Sequence, residues 1–406
     1  MNILSRDIMI KLEIIREADI IVGITDLHED TSVARVLKAV SFGLAKYFPD
    51  QKALIIKAGG KDDGVFSNLD LYEDRELNFI YTSFIPVHRL IMDQNMERGN
   101  FLKGLFYASD MLNASACMIL RGDLRSINPE WIEGLLTPVI KGEYDYISPV
   151  YVIHHNDGVI NNNLVYPLIR SLFCTDIRFP GAGDYAMSVD LVRSFLEKDL
   201  WNMDIDTWVA TAAAGEGFET GQVFLGNKYI DKFDTIQDMR HKFIKTSETL
   251  FHLMKIYREV WANSEEEKYL TDFGYHYKIS PSPVSLNRVE IKAEGEKLFH
   301  EYRSSIKKIL SKDTFNRVEE ASQGKESSFS ADLWTEVIFE YASYVSIHGE
   351  EVMKSMVPMF FLRISSLIED REISPDEVRN RLNSECNLFI KMKDSLIETY
   401  SSADRQ

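Results

Sequence analysis

The chain has 406 residues, 63 of them acidic against 46 Lys plus Arg, for a formal net charge of −17. With 45% apolar and 27% charged residues it is neither disordered nor of low complexity, and its acidic balance weighs against nucleic-acid binding, which needs a basic face. Apolar runs such as Ile20–Ile24 and Ala116–Leu120 are far shorter than the about 20 residues of a membrane-spanning helix, so no span is expected.

The first residues, Met1 to Glu13, interrupt their apolar positions with Arg6, Asp7, Lys11 and Glu13, so they do not read as a secretory signal. Cys117, Cys174 and Cys386 are too few and too scattered for a disulfide framework or a zinc site. A reducing, cytoplasmic setting is the expectation.

In chain order, Asp19–Ile24 reads as a buried strand, and Val36, Leu37, Val40 and Leu44 mark a helix over Val33–Tyr47. Ala53–Ile56 predicts a second strand, ended by Gly59-Gly60, and Leu77–Thr82 a third. Asn100–Leu112 predicts a helix. Ala116–Leu120 predicts a fourth strand, closed by the polar turn Arg121-Gly122-Asp123. This alternation implies an α/β fold, a mostly parallel sheet flanked by helices, with ligands bound beyond the carboxyl ends of its strands.

From about Thr235 the pattern becomes helical. Met239–Trp261 reads as a long helical stretch, Ser280-Pro281-Ser282-Pro283 as a break, and Asn287–Leu310 as a charged helix. Ala321–Ser330 reads as a polar linker or loop. Trp334, Val337, Ile338, Tyr341, Ala342 and Val345 form an amphipathic face, and two more helices end near Tyr400. The expected organisation is an α/β domain over 1–234 and an all-helical C-terminal region over 235–406.

Chemistry-bearing residues gather in six segments. Ile24-Thr25-Asp26-Leu27-His28-Glu29-Asp30 follows the first strand, and Gly59-Gly60-Lys61-Asp62-Asp63-Gly64 follows the second. Glu97-Arg98-Gly99-Asn100 opens a helix, where a positive side chain beside the helix N-terminus makes a favourable phosphate site. Arg121-Gly122-Asp123-Leu124-Arg125-Ser126 follows the fourth strand. Asn156-Asp157-Gly158 leads through Tyr166-Pro167-Leu168 to Phe179-Pro180-Gly181-Ala182-Gly183-Asp184-Tyr185. The last segment is Met203-Asp204-Ile205-Asp206-Thr207-Trp208, followed by Gln222–Gly226 and Tyr229-Ile230-Asp231.

In order and spacing these segments resemble the GT-A nucleotide-sugar glycosyltransferases. The nearest group is that of the glucosyl-3-phosphoglycerate, glucosylglycerate and mannosylglycerate synthases and their uncharacterised relatives. The resemblance implies a GT-A (Rossmann-like) fold. It also implies transfer of a sugar from a donor such as UDP-glucose to a small hydroxylated, glycerate-like acceptor, with retention of configuration. It places Leu27 and Glu29 at the nucleoside, Arg98 at the diphosphate, and Arg121 and Asp123 where the family carries its Asp-X-Asp. Asp157, Gly158 and Gly183 fall in the acceptor segment. Asp184 and Asp206 fall at the sugar and the reacting centre. No organic cofactor is implied. A nucleotide-sugar, a small polar acceptor and a second copy in a homodimer are the expected partners.

The chain departs from the family pattern at four functional positions. Ala58 stands for an acidic residue, Arg121 for the first carboxylate of Asp-X-Asp, Ala182 for a glycine and Ile230 for a metal-binding histidine. Asp123 alone would make a weak site for Mg²⁺ or Mn²⁺. Two readings follow: a glycosyltransferase in which arginines take the place of the cation, or a catalytically degenerate scaffold that binds or regulates. A nucleotidyltransferase is disfavoured, because His28-Glu29-Asp30 is acidic where that class needs a basic, glycine-rich loop. His154 and His155, if in a strand, would point to opposite sides and form no joint metal site. The Met and aromatic residues of Met353–Phe361 read as helix-packing core.

Overall fold

A computed structural model describes residues 4–25, 30–58, 87–92, 97–230, 234–274, 279–324, 329–368, 371 and 373–403. The chain divides into two compact units. The first gathers Met1–Tyr151, Ala182–Phe233 and Leu270–Ser280. The second gathers Val152–Gly181, Asp234–Tyr269 and Pro281–Gln406.

The first unit is built on one sheet. Its strands are β1 (Ile20–Thr25), β2 (Ala53–Ala58), β3 (Val87–Met92), β4 (Ala116–Arg121), β5 (Tyr146–Val152), β6 (Tyr185–Ser188), β7 (Thr220–Asn227) and β8 (Asp272–Phe273). Among the described residues their order is β3-β2-β1-β4-β6-β5-β7-β8. β3, β2, β1 and β4 run parallel, whereas β6 lies antiparallel between β4 and β5. Five of the six residues of β2 and of β4, and all six of β1, are buried, as parallel strands covered on both faces require.

The third predicted strand, 77–82, lies outside the described residues. The strand that completes the parallel edge is Val87–Met92, whose sequence VHRLIM carries two polar residues.

Register sets the ligand edge of the sheet. Thr25 at the end of β1 pairs with Arg121 at the end of β4, and the Gly122 amide donates to the Thr25 carbonyl at 2.6 Å. The turn carrying Asp123 therefore leaves the sheet beside the carboxyl end of β1. Helix Arg98–Met111 approaches this edge from its own N-terminus. Gly99 is required there: a Cβ would sit 1.8 Å from the Trp201 carbonyl oxygen, a backbone atom that cannot move aside.

The second unit is helical. Its helices include Tyr166–Phe173, Ile236–Ile256, Arg258–Ala262, Arg288–Ile309, Lys312–Ser322, Ala331–His348, Val357–Leu367 and Pro375–Ala403. Its core stacks Phe243 on Phe360 at 4.1 Å and 9°, with Trp334 alongside. Met353, Met356, Met359, Phe360 and Phe361 are fully buried, so this Met and aromatic run packs as core. Arg363 is buried against Glu385 at 2.6 Å and donates to the Phe329 carbonyl at 2.8 Å, a structural pairing.

The helical stretch expected over Met239–Trp261 consists of two helices, Ile236–Ile256 and Arg258–Ala262, parted at Tyr257. Two sequence expectations change. The linker expected over Ala321–Ser330 begins inside helix Lys312–Ser322. A single cut at 234 would leave Val152–Gly181 with the sheet, yet this segment packs within the helical unit. Long-range partners explain its place: the Trp334 indole donates to the Asn163 carbonyl, Arg170 to Asn383, and Lys393 to the Leu172 carbonyl.

Candidate functional site

At the carboxyl edge of β1 and β4 three cations meet three carboxylates, all within the first unit. The Arg121 guanidinium grips Asp123 with both prongs, Nε to Oδ1 at 2.9 Å and a terminal nitrogen to Oδ2 at 2.6 Å. Arg98, the first residue of its helix, donates to Asp206 Oδ1 at 2.9 Å and to the Thr25 hydroxyl. Lys228, just past β7, donates to Asp184 Oδ2 at 2.7 Å and to the Ala182 carbonyl at 2.7 Å.

The carboxylates are the deeper partners. Asp184 is wholly buried and Asp123 is 2% exposed. Burying such charges is tolerable only when they are paired and hydrogen-bonded. Asp184 meets that demand fully. Its Oδ1 accepts from the Arg121 backbone amide at 2.9 Å, and its Oδ2 from the Tyr151 hydroxyl at 3.1 Å as well as from Lys228. Asp206 lies in the first turn of helix Ile205–Gly215, where the helix dipole favours a negative charge. It also accepts from the Tyr185 hydroxyl at 3.1 Å. Burial, reinforced by Asp184, pushes the Tyr151 phenol well above its usual range, and burial with Asp206 does the same to Tyr185. Both phenols stay protonated and serve as donors.

Gly183 is the hub. It has φ +77, a left-handed conformation that favours glycine. A Cβ there would lie 3.3 Å from Arg121 Cδ and 3.4 Å from an Arg98 guanidinium nitrogen. Both arginines thus pass directly over Gly183, while Lys228 holds the residues on either side of it.

The structure therefore brings together Arg98, Arg121, Asp123, Gly183, Asp184 and Asp206. Leu27 and Glu29 lie outside the described residues, as does the Gly59–Gly64 turn. Asp157 and Gly158 belong to the second unit. They form a turn there, with the Asp157 amide on the His154 carbonyl and the Gly158 amide on Asp157 Oδ1. His154 and His155 do not point to opposite sides of a strand. β5 ends at Val152, and the turn that follows sets their rings 4.0 Å apart.

Sequence reasoning missed Lys228 and Tyr151, and it placed Thr25 and Tyr185 in its segments without giving either a role. Lys228 had a signal: it stands two residues before Ile230, inside the loop where a histidine was sought. That loop is fastened to the Asp123 turn. Leu124 and Ile230 form an antiparallel bridge, the Arg125 amide donates to the Tyr229 carbonyl at 2.8 Å, and the Tyr229 amide to the Ser126 hydroxyl at 3.0 Å.

A divalent metal does not fit these residues. Arg121 occupies both oxygens of Asp123, the bonds to Asp184 involve both of its oxygens, and the Ile230 side chain has no donor atom. Among the described residues no group of three or more His, Cys, Asp or Glu is placed to hold a metal ion. No helix among them is long and apolar enough to cross a membrane.

No protein-family model matches the chain, and no curated protein matches it. Among solved structures, the chain is similar to glucosyl-3-phosphoglycerate synthase from Mycobacterium tuberculosis. In the complex with phosphoglyceric acid, identity is 16% over 58% of this chain and 80% of that one, with a TM-score of 0.42. In the complex with Mg²⁺ and uridine diphosphate, identity is 17% over 60% and 82%, with a TM-score of 0.42. In the complex with Mn²⁺, UDP-glucose and phosphoglyceric acid, identity is 16% over 61% and 83%, with a TM-score of 0.41.

Proposed function

We propose that the first unit is a nucleotide-sugar-dependent glycosyltransferase domain. In this reading it moves a hexose from a nucleoside diphosphate to a small hydroxylated acceptor of the glycerate type. The observation that carries this reading is the convergence of Arg98 and Arg121 over Gly183 at the carboxyl edge of β1 and β4. Ligands of open α/β sheets bind at this edge, and planar guanidinium groups are suited to pair with phosphate oxygens.

In the proposed reaction the bond from sugar C1 to the phosphate oxygen breaks, and its electron pair leaves with the diphosphate. The acceptor hydroxyl oxygen bonds to C1 on the same face, and its proton passes to the departing phosphate oxygen. The products are a nucleoside diphosphate and a glycoside of retained configuration. Charge grows on the diphosphate as the bond breaks, so cations fixed beside it stabilise the transition state more than the ground state. Arg98 and Arg121 are assigned that role. Asp206, with its Tyr185 partner, is assigned to the sugar hydroxyls.

A specific observation favours the second reading, a degenerate scaffold that binds without turnover. Every charge of the cluster already has a protein partner, so the site is electrostatically complete by itself. The test is a thermal-shift panel of UDP-, GDP- and ADP-sugars, with EDTA or with Mg²⁺ or Mn²⁺, followed by assay of the hits for product. A ligand at 100 times its dissociation constant stabilises by about 2.7 kcal/mol. Binding with product supports the transferase, binding without product the scaffold, and no binding removes the transferase and leaves a scaffold whose donor site is lost.

A further inference from the structure

Lys228 has no part in the roles assigned above, yet it is built into the site as firmly as either arginine. Its ammonium donates to a wholly buried carboxylate, to a backbone carbonyl on the other side of Gly183, and stands 4.9 Å from the centroid of the Tyr151 ring. Its side chain is 14% exposed, so the head group is mostly but not fully withdrawn from water.

Asp184 links this lysine to Arg121. One carboxylate oxygen takes the Arg121 backbone amide, the other takes Lys228 and Tyr151. A carboxylate with no exposed surface and both oxygens occupied cannot reach a ligand. It can, however, fix the end of β4 and the loop after β7 in one arrangement.

The two elements are joined a second time by the Leu124–Ile230 bridge. Lys228 therefore enters the site from the loop that would have to deliver a metal ligand, and it arrives as a cation rather than as a donor atom. The lost carboxylate at Arg121 and the missing ligand at Ile230 are thus matched by two fixed positive charges from the same two elements.

We propose that Lys228 and Arg121 together form a metal-free clamp for the diphosphate of the ligand, with Asp184 as its positioning residue. This rests on the nucleotide reading above and deepens it. A doubly charged cation bound by carboxylates is replaced by two single charges on flexible stems. An ammonium supplies three rotatable donors and a guanidinium a planar fork, and each can exchange a carboxylate oxygen for a phosphate oxygen. Asp184 keeps the two charges close despite their mutual repulsion. Asp184 is accordingly not a sugar-binding group.

The experiment is calorimetric titration of UDP, GDP and ADP, and of the matching nucleosides, into wild-type protein and the Lys228→Met and Lys228→Arg variants. Each is run in EDTA and again with Mn²⁺. The expected result is diphosphate binding by the wild type in EDTA, weakened about tenfold or more in Lys228→Met, the scale of one charged hydrogen bond. Lys228→Arg should keep most of the affinity, and nucleoside binding should not change. If Lys228→Met leaves Asp184 uncompensated and fails to fold, Lys228→Met combined with Asp184→Asn removes both charges and takes its place.

Wild-type diphosphate binding that requires Mn²⁺ and vanishes in EDTA would overturn the clamp and leave the transferase standing. So would a Lys228→Met variant that binds diphosphate as well as the wild type in EDTA. Failure of every nucleotide to bind, with or without metal, would overturn the nucleotide reading itself, and the clamp with it.

Discussion

Leu124 and Ile230 pair across an antiparallel bridge, so the residue after Asp123 is held beside the position at which a metal-binding histidine was sought. The Ile230 backbone thus stands beside the Asp123 turn, and its side chain offers no ligand atom. Arg121→Asp combined with Ile230→His should accordingly create Mn²⁺ binding that the wild type lacks in the absence of nucleotide, measured by calorimetry or by manganese spin resonance. Either change alone should give less, because a hard cation needs several donors at once. Tight Mn²⁺ binding by the wild type would show that Asp123 is freed from Arg121 more readily than its bidentate pairing implies.

Arg121→Ala tests the arginine as a leaving-group cation. Turnover should fall about 100-fold or more, the scale seen when one fixed donor to developing negative charge is removed. Stability should fall too. Asp123 is 2% exposed and both of its oxygens are held by Arg121, so the variant leaves a buried acceptor unsatisfied, at a cost of about 1–3 kcal/mol. Adding Asp123→Asn should recover much of that stability and none of the turnover. Chemical denaturation of the two variants separates these effects. Unchanged turnover in Arg121→Ala would show that Arg121 is not the leaving-group cation.

β1, β2 and β4 were legible in the sequence because strands buried on both faces leave continuous apolar runs, such as IIVGIT and ACMILR, whereas β3, with its two polar residues, was not. The antiparallel half was not. β6 is four residues long and lies between β4 and β5 through pairings far apart in the chain, such as Cys117 with Met187 and Tyr146 with Met187. Arg98, Arg121, Asp184 and Asp206 could be named from their segments, but not their pairing, since Arg98 and Asp206 are 108 residues apart. Lys228 carried only the signal of its place two residues before Ile230; its partner Asp184, 44 residues away, is supplied by the fold alone. The same holds for Val152–Gly181, whose place in the helical unit is set by Trp334, Asn383 and Lys393.

Buried tyrosines make stability fall on the alkaline side. Burial raises Tyr146, Tyr151, Tyr166, Tyr185, Tyr341 and Tyr400 above the ordinary value near 10. Above that pH the unfolded chain has released protons that the folded chain still holds. The folded state then binds more protons than the unfolded, so unfolding free energy decreases as pH rises. Below about pH 10 these groups contribute no pH dependence. Melting temperature, followed from pH 8 to pH 11, should accordingly drop steeply only beyond about pH 10. Tyr341→Phe, distant in sequence from the charge cluster, should soften the slope, because phenylalanine has no proton to lose. A flat profile through pH 11 would mean that the tyrosines are not buried as described.

Asp206→Asn separates a group that acts on the sugar from one that only restrains Arg98. The substitution keeps the shape and removes the charge. The Asp206 oxygen now accepts from Arg98 at 2.9 Å and from Tyr185 at 3.1 Å. An amide oxygen can still accept both bonds, so folding should be little affected. Arg98, however, loses its counter-charge and becomes more available to a diphosphate. Nucleoside diphosphate binding should therefore tighten in Asp206→Asn. If Asp206 faces the reacting sugar, its charge stabilises the cationic character that develops at C1. Loss of that charge should then lower kcat about 100-fold, with KM unchanged or reduced. Tighter diphosphate binding with unchanged kcat would make Asp206 only the partner of Arg98, and the sugar contact would have to be sought elsewhere. Weaker diphosphate binding would mean instead that Arg98 needs Asp206 to hold it over Gly183. Reduced affinity and reduced kcat would then appear together, and Arg98→Lys, which keeps the charge but loses the planar fork, should show the same pairing of losses.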